Sequence, residues 1–203
     1  MVSRITRPDV RRSPTLRTLP ALRTERLLLR RWCTADLAPF AKMSADPTVM
    51  EHFPELLTRE RSDAMVARIR DHFAREGFGL WALEVPAAAP FIGFTGLARP
   101  VFMPEVVEIG WRLAPAYWRQ GYATEAAKAA LRWAFEVGEL DEIVAFVVPS
   151  NTPSQRVMDR LGMTRDPTAD FEHPMIATGH RLRPHWLYRL SRSCWSNHQS
   201  RQR

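Results

Sequence analysis

The 203-residue chain is long enough for one domain with a complete hydrophobic core and too short for two large ones. Apolar residues make up 45% and charged residues 25%, which excludes wholesale disorder. The net charge of +7 lies at the ends: residues 1–26 hold seven arginines against two acidic residues, and residues 181–203 hold six arginines and no acidic residue. Residues 27–180 hold 16 basic and 20 acidic residues. This distribution argues against nucleic acid as the main partner, although arginine-rich ends can bind polyanions weakly.

Cysteine usage and hydropathy indicate an intracellular protein without a membrane anchor. Cys33 and Cys194 are too few for a disulfide framework or a four-cysteine zinc site, so we predict reduced thiols and no metal. The first twenty residues are basic but interrupted by prolines, unlike a secretory signal. No run approaches the ~20 apolar residues of a membrane-spanning helix. We therefore predict a cytoplasmic monomer or homodimer.

The first elements are a basic arm, a strand and two helices. Residues 1–20 are rich in Arg, Ser, Thr and Pro without periodicity, which predicts an arm with no fold of its own. A short apolar run predicts a strand over 25–32, after which Thr34 opens a helix. Thr58 leads into an amphipathic helix that ends at Gly77.

Strands dominate the middle of the chain. Residues 78–85, 91–97 and 106–113 are predicted strands, the first two as an antiparallel pair. The alanine-rich stretch 123–137 is the strongest helix signal. The unbroken apolar run 143–148 predicts a strand that is buried on both faces beside a parallel neighbour.

The last elements complete an α/β pattern. Thr152 is predicted to cap a helix in a capping box with Gln155, and alternation predicts a final strand over 185–190. Residues 191–203 are assigned to a basic tail. The element order describes one α/β (α+β) domain over residues 21–190, with a mixed sheet flanked by helices.

The strongest chemical feature is a strand followed by a tight turn and a helix start. The turn consists of Arg119, Gln120, Gly121, Tyr122, Ala123 and Thr124. A helix start exposes unpaired N–H groups and the positive end of the macrodipole, which favour phosphate. Gly121 and Ala123 leave room for a phosphate to approach the backbone, and Arg119 adds a cation. From the glycine alone, a tight turn without a ligand is the alternative interpretation.

This segment resembles the coenzyme A-binding motif of the GCN5-related N-acetyltransferase (GNAT) family, Q/R-x-x-G-x-G/A, and looks closest to the branch with ribosomal-protein alanine acetyltransferases. A second block, residues 151–163, matches that branch's N-x-x-S-x-R-V-x-x-x-x-G-F/M segment in the correct order. Trp118 stands where the general motif has Gln or Arg, so Arg119 or Gln120 is the candidate replacement for that side-chain contact. The resemblance covers about residues 22–190.

The resemblance implies a mixed, mostly antiparallel sheet with about four helices, in which the parallel strands 106–113 and 143–148 splay like a V around the pantetheine arm. It implies acetyl-CoA as co-substrate and an amine acceptor, either a small molecule or a protein N-terminus. The residues that the resemblance assigns to coenzyme A are Leu113, Arg119, Gln120, Gly121, Tyr122, Ala123, Thr124, Asn151, Ser154 and Arg156.

Direct transfer needs a base for the amine, because an alkyl amine is mostly protonated at neutral pH. Glu108 is the first candidate, since family members often use a Glu on this strand. The alternative role for Glu108 is a solvated or ion-paired edge carboxylate. Glu172 and His173 are second candidates. The resemblance also implies a bulge near Leu113, whose backbone N–H would polarise the thioester carbonyl.

The proton donor for the departing thiolate is less obvious. Many family members use a Tyr in the last helix, but the corresponding position here is Met158. Ser154 is the candidate substitute, although a Ser at a helix start is often a capping residue. Tyr188 and water are further alternatives.

The acceptor is not defined by the sequence. Four strand aromatics are core residues by default and pocket-lining residues as the alternative: Trp81, Phe94, Trp111 and Phe146. The acidic middle region favours a cationic amine. Two rival functions stay open: a catalytically silent acyl-CoA-binding or sensor domain, and a nucleic-acid-associated protein acting through the arginine-rich ends.

Overall fold

The computed structural model describes residues 21–200, so the predicted arm over 1–20 and residues 201–203 lie outside the described residues. The strands are β1 Leu22–Arg23, β2 Leu28–Arg30, β3 Leu80–Val85, β4 Ala89–Ala98, β5 Glu108–Leu113, β6 Glu142–Val147, β7 Thr164–Arg165, β8 Phe171–Glu172 and β9 Pro184–Ser191. The helices are α1 Leu37–Ser44, α2 Arg59–Glu76, α3 Tyr122–Glu136, α4 Thr152–Arg160 and α5 Arg192–Ser200. Among the described helices, none combines the length and the hydrophobicity of a membrane-spanning segment.

The strands form a mixed sheet in the order β1-β2-β3-β4-β5-β6-β9-β7, with β8 paired to β9. The predicted antiparallel pairing of β3 with β4 and the parallel pairing of β5 with β6 are confirmed. The mixed, mostly antiparallel α/β architecture that the sequence predicts is therefore correct.

β5 and β6 touch only where they begin. A single residue pair, Glu108 with Val144, connects them, and the Val144 N–H donates to the Val107 carbonyl at 2.9 Å. By contrast, β6 pairs with β9 over its whole length, from Glu142 to Val147. The two parallel strands therefore separate toward their carboxyl ends and leave a cleft.

Local sequence signals explain the helix ends. The Thr58 side chain accepts a hydrogen bond from the Arg61 N–H, and Gly77 ends α2 with a left-handed φ of +76°, as predicted. The predicted capping box at Thr152 is wrong by one residue. Asn151 is the N-cap, and its side chain accepts from the Ser154 N–H, whereas the Gln155 N–H that a Thr152 cap would have used donates to the Asn151 carbonyl.

The assignment of residues 191–203 to a basic tail needs correction for 192–200, which form helix α5. Trp195 on this helix is 3% exposed and packs against Phe135 of α3, with ring centroids 5.9 Å apart. One large apolar side chain thus anchors an otherwise polar segment to the domain, because its burial removes a large apolar surface from water.

Candidate active site

The turn before α3 leaves its backbone donors free. Within residues 21–200, none of the amides from Arg119 to Thr124 has a hydrogen-bond acceptor, and the first backbone bond of α3 runs from the Glu125 N–H to the Gly121 carbonyl at 3.0 Å. Gly121 is exposed and left-handed, with φ +83°, and Arg119 is also left-handed, with φ +59°. Free amides at an exposed helix start are what a phosphate group requires.

Arg26, which lies outside the coenzyme A-binding motif, contacts three residues of the turn and of the first turn of α3. Its guanidinium donates to the Glu125 carboxylate at 2.7 Å and to the Gln120 carbonyl at 3.0 Å, and it lies 4.5 Å from the centroid of the Tyr122 ring. Partial burial opposes ionisation of Glu125, but hydrogen bonds from Thr24 and Arg26 lower the pKa of Glu125 below its usual value. The β1–β2 connection therefore fixes the first turn of α3.

The second sequence block lies at the same edge of the sheet. Because β5 and β6 are parallel, the helices that follow them, α3 and α4, both begin beside the carboxyl ends of these strands. Asn151 caps α4, and Arg156 is exposed without an ion-pair partner in the described part of the chain. The fold thus places the residues of both motif blocks around the open end of the cleft.

Leu113 ends β5 with its backbone turned toward the cleft. The neighbouring Ala114 N–H donates to the Ile92 carbonyl at 2.9 Å. Bonded and non-bonded pairs alternate along an antiparallel ladder, so the Leu113 N–H points away from β4 and toward β6. The Leu113 carbonyl accepts from the Trp118 indole N–H at 2.7 Å, so Trp118 ties the turn to the strand.

The bulge expected near Leu113 is absent. The register of β4 with β5 is continuous from Ala98/Glu108 to Gly93/Leu113. Gly93 permits this unbroken register, because a Cβ at that position would lie 2.2 Å from the Arg112 carbonyl oxygen. The irregularity in β4 lies instead against β3.

Glu108 begins β5 at the point where the cleft closes. Its carboxylate has no ion-pair or hydrogen-bond partner among residues 21–200, so the ion-paired edge role is not observed. Although part of the residue surface is exposed, desolvation of the carboxyl group raises the pKa of Glu108 to about 7. A carboxylate with a pKa near neutrality can both accept and release a proton at physiological pH.

The sheet face beyond Glu108 is open. Side chains alternate along a strand, so Glu108, Gly110 and Arg112 share one face of β5. A Cβ at Gly110 would meet no atom within 4 Å, which leaves space between the two charged residues.

The second candidate bases, Glu172 and His173, lie in and directly after β8. Glu172 forms an ion pair with Arg183 at 3.0 Å, so its carboxylate already has a cationic partner. His173 lies 4.4 Å from the Phe102 ring and 5.0 Å from the His185 ring, centroid to centroid. Desolvation, and then the charge of His185, lower the pKa of His173, so its imidazole is neutral at pH 7.

The candidate proton donors differ in exposure. Met158, where many family members have Tyr, is 2% exposed and belongs to the core. Ser154 is half-buried, and its hydroxyl has no hydrogen-bond partner in residues 21–200. Tyr188 lies on β9 opposite Ala145, and burial raises the pKa of Tyr188.

The strand aromatics have different surroundings. Trp81 is 1% exposed and packs on Phe73 and Trp133, as a core residue. Phe94 faces Arg112, and Phe146 contacts Phe102 with ring centroids 5.8 Å apart. Trp111 is partly buried and packs against the hydrophobic core.

Two residues of this region were missed from the sequence. Arg26 lies 99 residues from its partner Glu125, and only the acidic residue in the first turn of α3 hinted at a cation. Arg112 is a buried cation next to the apolar residues Trp111 and Leu113 of β5, and that charge within an apolar stretch was the available signal.

Comparison with known proteins agrees with the geometry. The family model described as the acetyltransferase (GNAT) domain matches residues 26–164. The Bacillus subtilis protein described as uncharacterized N-acetyltransferase YnaD is 31% identical over 174 residues, which cover 85% of this chain and 98% of that protein. The Aspergillus fumigatus FsC-acetyl coenzyme A-N(2)-transacetylase is 30% identical over 161 residues, or 74% and 67% of the two chains. A GNAT-family acetyltransferase from Bacillus anthracis has a TM-score of 0.71 at 27% identity, with 86% of this chain and 99% of that chain covered.

The family match contains the parallel strands, the exposed turn before α3 and the start of α4, so both motif blocks fall inside it. The relative from B. subtilis extends the similarity over most of the chain. The protein belongs to the GNAT family and is an N-acetyltransferase.

Proposed function

We propose that the protein transfers the acetyl group of acetyl-CoA to a primary amine by direct attack within a ternary complex. The observation that carries this proposal is the row of free backbone amides from Arg119 to Thr124 beside the cleft between β5 and β6. These donors suit a diphosphate, and Arg119 and Arg156 add positive charge around it. The similarity to a relative named for acetyl coenzyme A supports the same acetyl donor.

The base in this proposal is Glu108. Acetyl-CoA supplies an activated thioester when bound, but the attacking amine must first lose a proton. Glu108, with a pKa of about 7, accepts that proton directly or through water. His173, neutral at pH 7, is the alternative base.

Two further residues support the transfer. The Leu113 N–H faces the cleft and donates a hydrogen bond to the thioester carbonyl oxygen, which strengthens as negative charge develops on that oxygen. The Ser154 hydroxyl, at the start of α4, donates a proton to the departing thiolate, with Tyr188 or water as alternatives. Asn151 shapes the turn from which Ser154 projects.

One observation favours a second candidate function. Met158 is buried in the core at the position where many family members have a proton-donating Tyr. A domain that binds acyl-CoA without turning it over would tolerate this change.

An acceptor screen that detects free thiol release separates the two candidates. An N-acetyltransferase releases thiol in proportion to an added amine, whereas a silent acyl-CoA-binding domain binds acetyl-CoA with no amine-dependent release. Ser154→Ala should lower kcat with the affinity for acetyl-CoA retained if Ser154 is the proton donor. Unchanged kcat would transfer that role to Tyr188 or water.

Other assignments stay predictions. A cytoplasmic location and a monomeric or dimeric state need fractionation and light scattering. Nucleic-acid binding through the arginine-rich ends would be abolished by deletion of residues 1–19 together with neutralisation of the arginines in 191–203, which spares Trp195, and acetyl-CoA affinity would be unchanged.

A further inference from the structure

Arg112 is a buried cation without an anionic partner among residues 21–200. The residue is 9% exposed, and its Nε and Nη1 atoms are enclosed without a hydrogen-bond acceptor in residues 21–200. Burial lowers the pKa of Arg112 to about 10, which leaves the guanidinium charged at neutral pH. A buried charge with unsatisfied donors is costly, so its presence calls for a physical explanation.

Two aromatic rings compensate only part of that cost. The Arg112 guanidinium carbon lies 3.9 Å from the Phe53 ring centroid and 5.4 Å from that of Phe94. Cation–π contacts favour the charge but offer no acceptor for the N–H groups. The rings therefore hold the guanidinium in place and leave its hydrogen-bonding capacity unused.

The guanidinium lines a cavity of about 240 Å³. The wall is apolar at Met50, Leu57 and Met65, and positively charged at Arg68, which is exposed and has no ion-pair partner in the described part of the chain. The remaining lining cation, Arg61, is already paired with Glu55. The cavity thus presents uncompensated positive charge inside an apolar surround.

Arg112 connects this cavity to the strand that carries the proposed base, although Glu108 itself does not line the cavity. Arg112 and Glu108 share a face of β5, four residues or about 13 Å apart between Cα atoms. Gly110 lies between them, and a Cβ placed there would have no atom of the described residues within 4 Å. A molecule can therefore lie along the strand between the carboxylate and the guanidinium.

We propose that the acceptor is an amine that carries a carboxylate, and that Arg112 binds this carboxylate while the amine lies toward Glu108. The inference rests on the proposed N-acetyltransferase function and names its substrate class. A planar guanidinium matches a carboxylate in shape and hydrogen-bond geometry. The acidic composition of residues 27–180 favours a cationic amine as acceptor. Arg112 is a more specific indication, because it places a positive charge at one point of the site, and it adds a carboxylate to that amine.

The test uses acceptors that differ only in one group. Amino acids whose amine and carboxylate are separated by increasing numbers of methylenes are compared with their carboxamides, and kcat/KM is measured by thiol release. The wild-type enzyme should prefer the carboxylate of at least one pair about tenfold or more, since a charge-assisted pair with a guanidinium is stronger than a neutral hydrogen bond. Arg112→Gln should lower kcat/KM for that carboxylate by about 100-fold or more and for the carboxamide by less than about threefold.

Two further variants test whether the effect depends on the guanidinium of Arg112. Arg112→Lys keeps the charge without the planar fork and should recover part of the lost kcat/KM. Arg59→Gln removes an exposed α2 cation that is paired with Asp63 and does not line the cavity, so both acceptors should be unaffected.

A binding measurement separates failure of this inference from failure of the proposed function. The N-acetylated carboxylate and its carboxamide are titrated calorimetrically into the wild-type protein and Arg112→Gln in the presence of coenzyme A. Carboxylate-selective binding that Arg112→Gln abolishes supports the anion site, even if no amine is acetylated and the proposed function fails. Amines acetylated without preference for a carboxylate by the wild-type enzyme overturn the inference and leave the function intact, a result that does not depend on how the variant folds.

Discussion

The Arg26 guanidinium lies 2.6 Å from the Glu125 carboxylate, although 99 residues separate the two in sequence. This contact joins the β1–β2 connection to the helix start that is proposed to bind the diphosphate. Because the same guanidinium bonds the Gln120 carbonyl, it also orients the peptide groups of the turn.

Arg26→Ala should weaken acetyl-CoA binding about 3- to 10-fold, measured by calorimetry, because the free amides would no longer be held in one arrangement. The stability cost should stay below about 1 kcal/mol, since the pair is partly exposed. Arg59→Ala, which breaks the exposed pair with Asp63, is the matched control and should leave the affinity unchanged. Equal affinities in both variants would contradict the positioning role of Arg26.

Gly121→Glu should abolish detectable acetyl-CoA binding through charge repulsion at the helix start. Because Gly121 is left-handed, part of any effect is backbone strain of about 1–2 kcal/mol. Gly179 has almost the same φ, +82°, in open surroundings, so Gly179→Glu carries the same strain away from the turn. If Gly179→Glu lost binding as well, the effect would be one of stability and not of phosphate recognition.

Glu108→Gln should lower kcat by about 10²- to 10³-fold while acetyl-CoA affinity is retained. In the wild-type enzyme, activity should rise with pH and level off above about 7, where Glu108 is ionised. The residual activity of Glu108→Gln should not show this rise with pH. Full activity of Glu108→Gln across pH would exclude Glu108 as the base and favour His173.

Glu108 should also make the fold less stable at higher pH. The folded protein keeps the Glu108 proton to about pH 7, whereas the unfolded chain releases it near the ordinary value of 4.5. The folded state therefore binds more protons in this window, and the free energy of unfolding falls as pH rises through it. Glu108→Gln should reduce that fall in chemical denaturation, whereas Glu136→Gln, an exposed control on α3, should not.

Arg112→Met should raise the thermal stability of the ligand-free protein, by about 1 kcal/mol or more, because it removes an uncompensated buried charge and keeps a similar volume. Arg68→Met, in the same cavity but exposed, should change stability by less than about 0.5 kcal/mol. A marked loss of stability in Arg112→Met would mean that the aromatic contacts, and not a ligand, account for the buried cation.

Trp195→Ala should destabilise the protein by about 3–5 kcal/mol in urea denaturation, because it leaves a cavity against α3. Cys194→Ala, on the exposed side of the same helix, should be nearly neutral. If Trp195→Ala also left the free energy of unfolding unchanged, the packing of α5 would not contribute to the stability of the domain.

The periodicity of apolar residues and the residue types at helix ends were sufficient to predict most of the architecture. The Thr58 cap, the Gly77 stop and the alternation in β3 and β4 act over a few residues, so the sequence predicts these elements directly. The turn around Gly121 was also predictable, because a phosphate site built from backbone amides needs only a helix start and small residues.

Contacts across long sequence distances were decided by the tertiary structure alone. The Arg26–Glu125 pair and the burial of Trp195 depend on which segments meet, and no local pattern records that. The pKa of Glu108 likewise follows from the desolvation that neighbouring elements impose. Arg112 illustrates the difference: the sequence determined a cation between apolar residues of a strand. The packing of α2 and Phe53 around it decided that this cation is buried, lines a cavity and has no hydrogen-bond acceptor for Nε and Nη1 in residues 21–200.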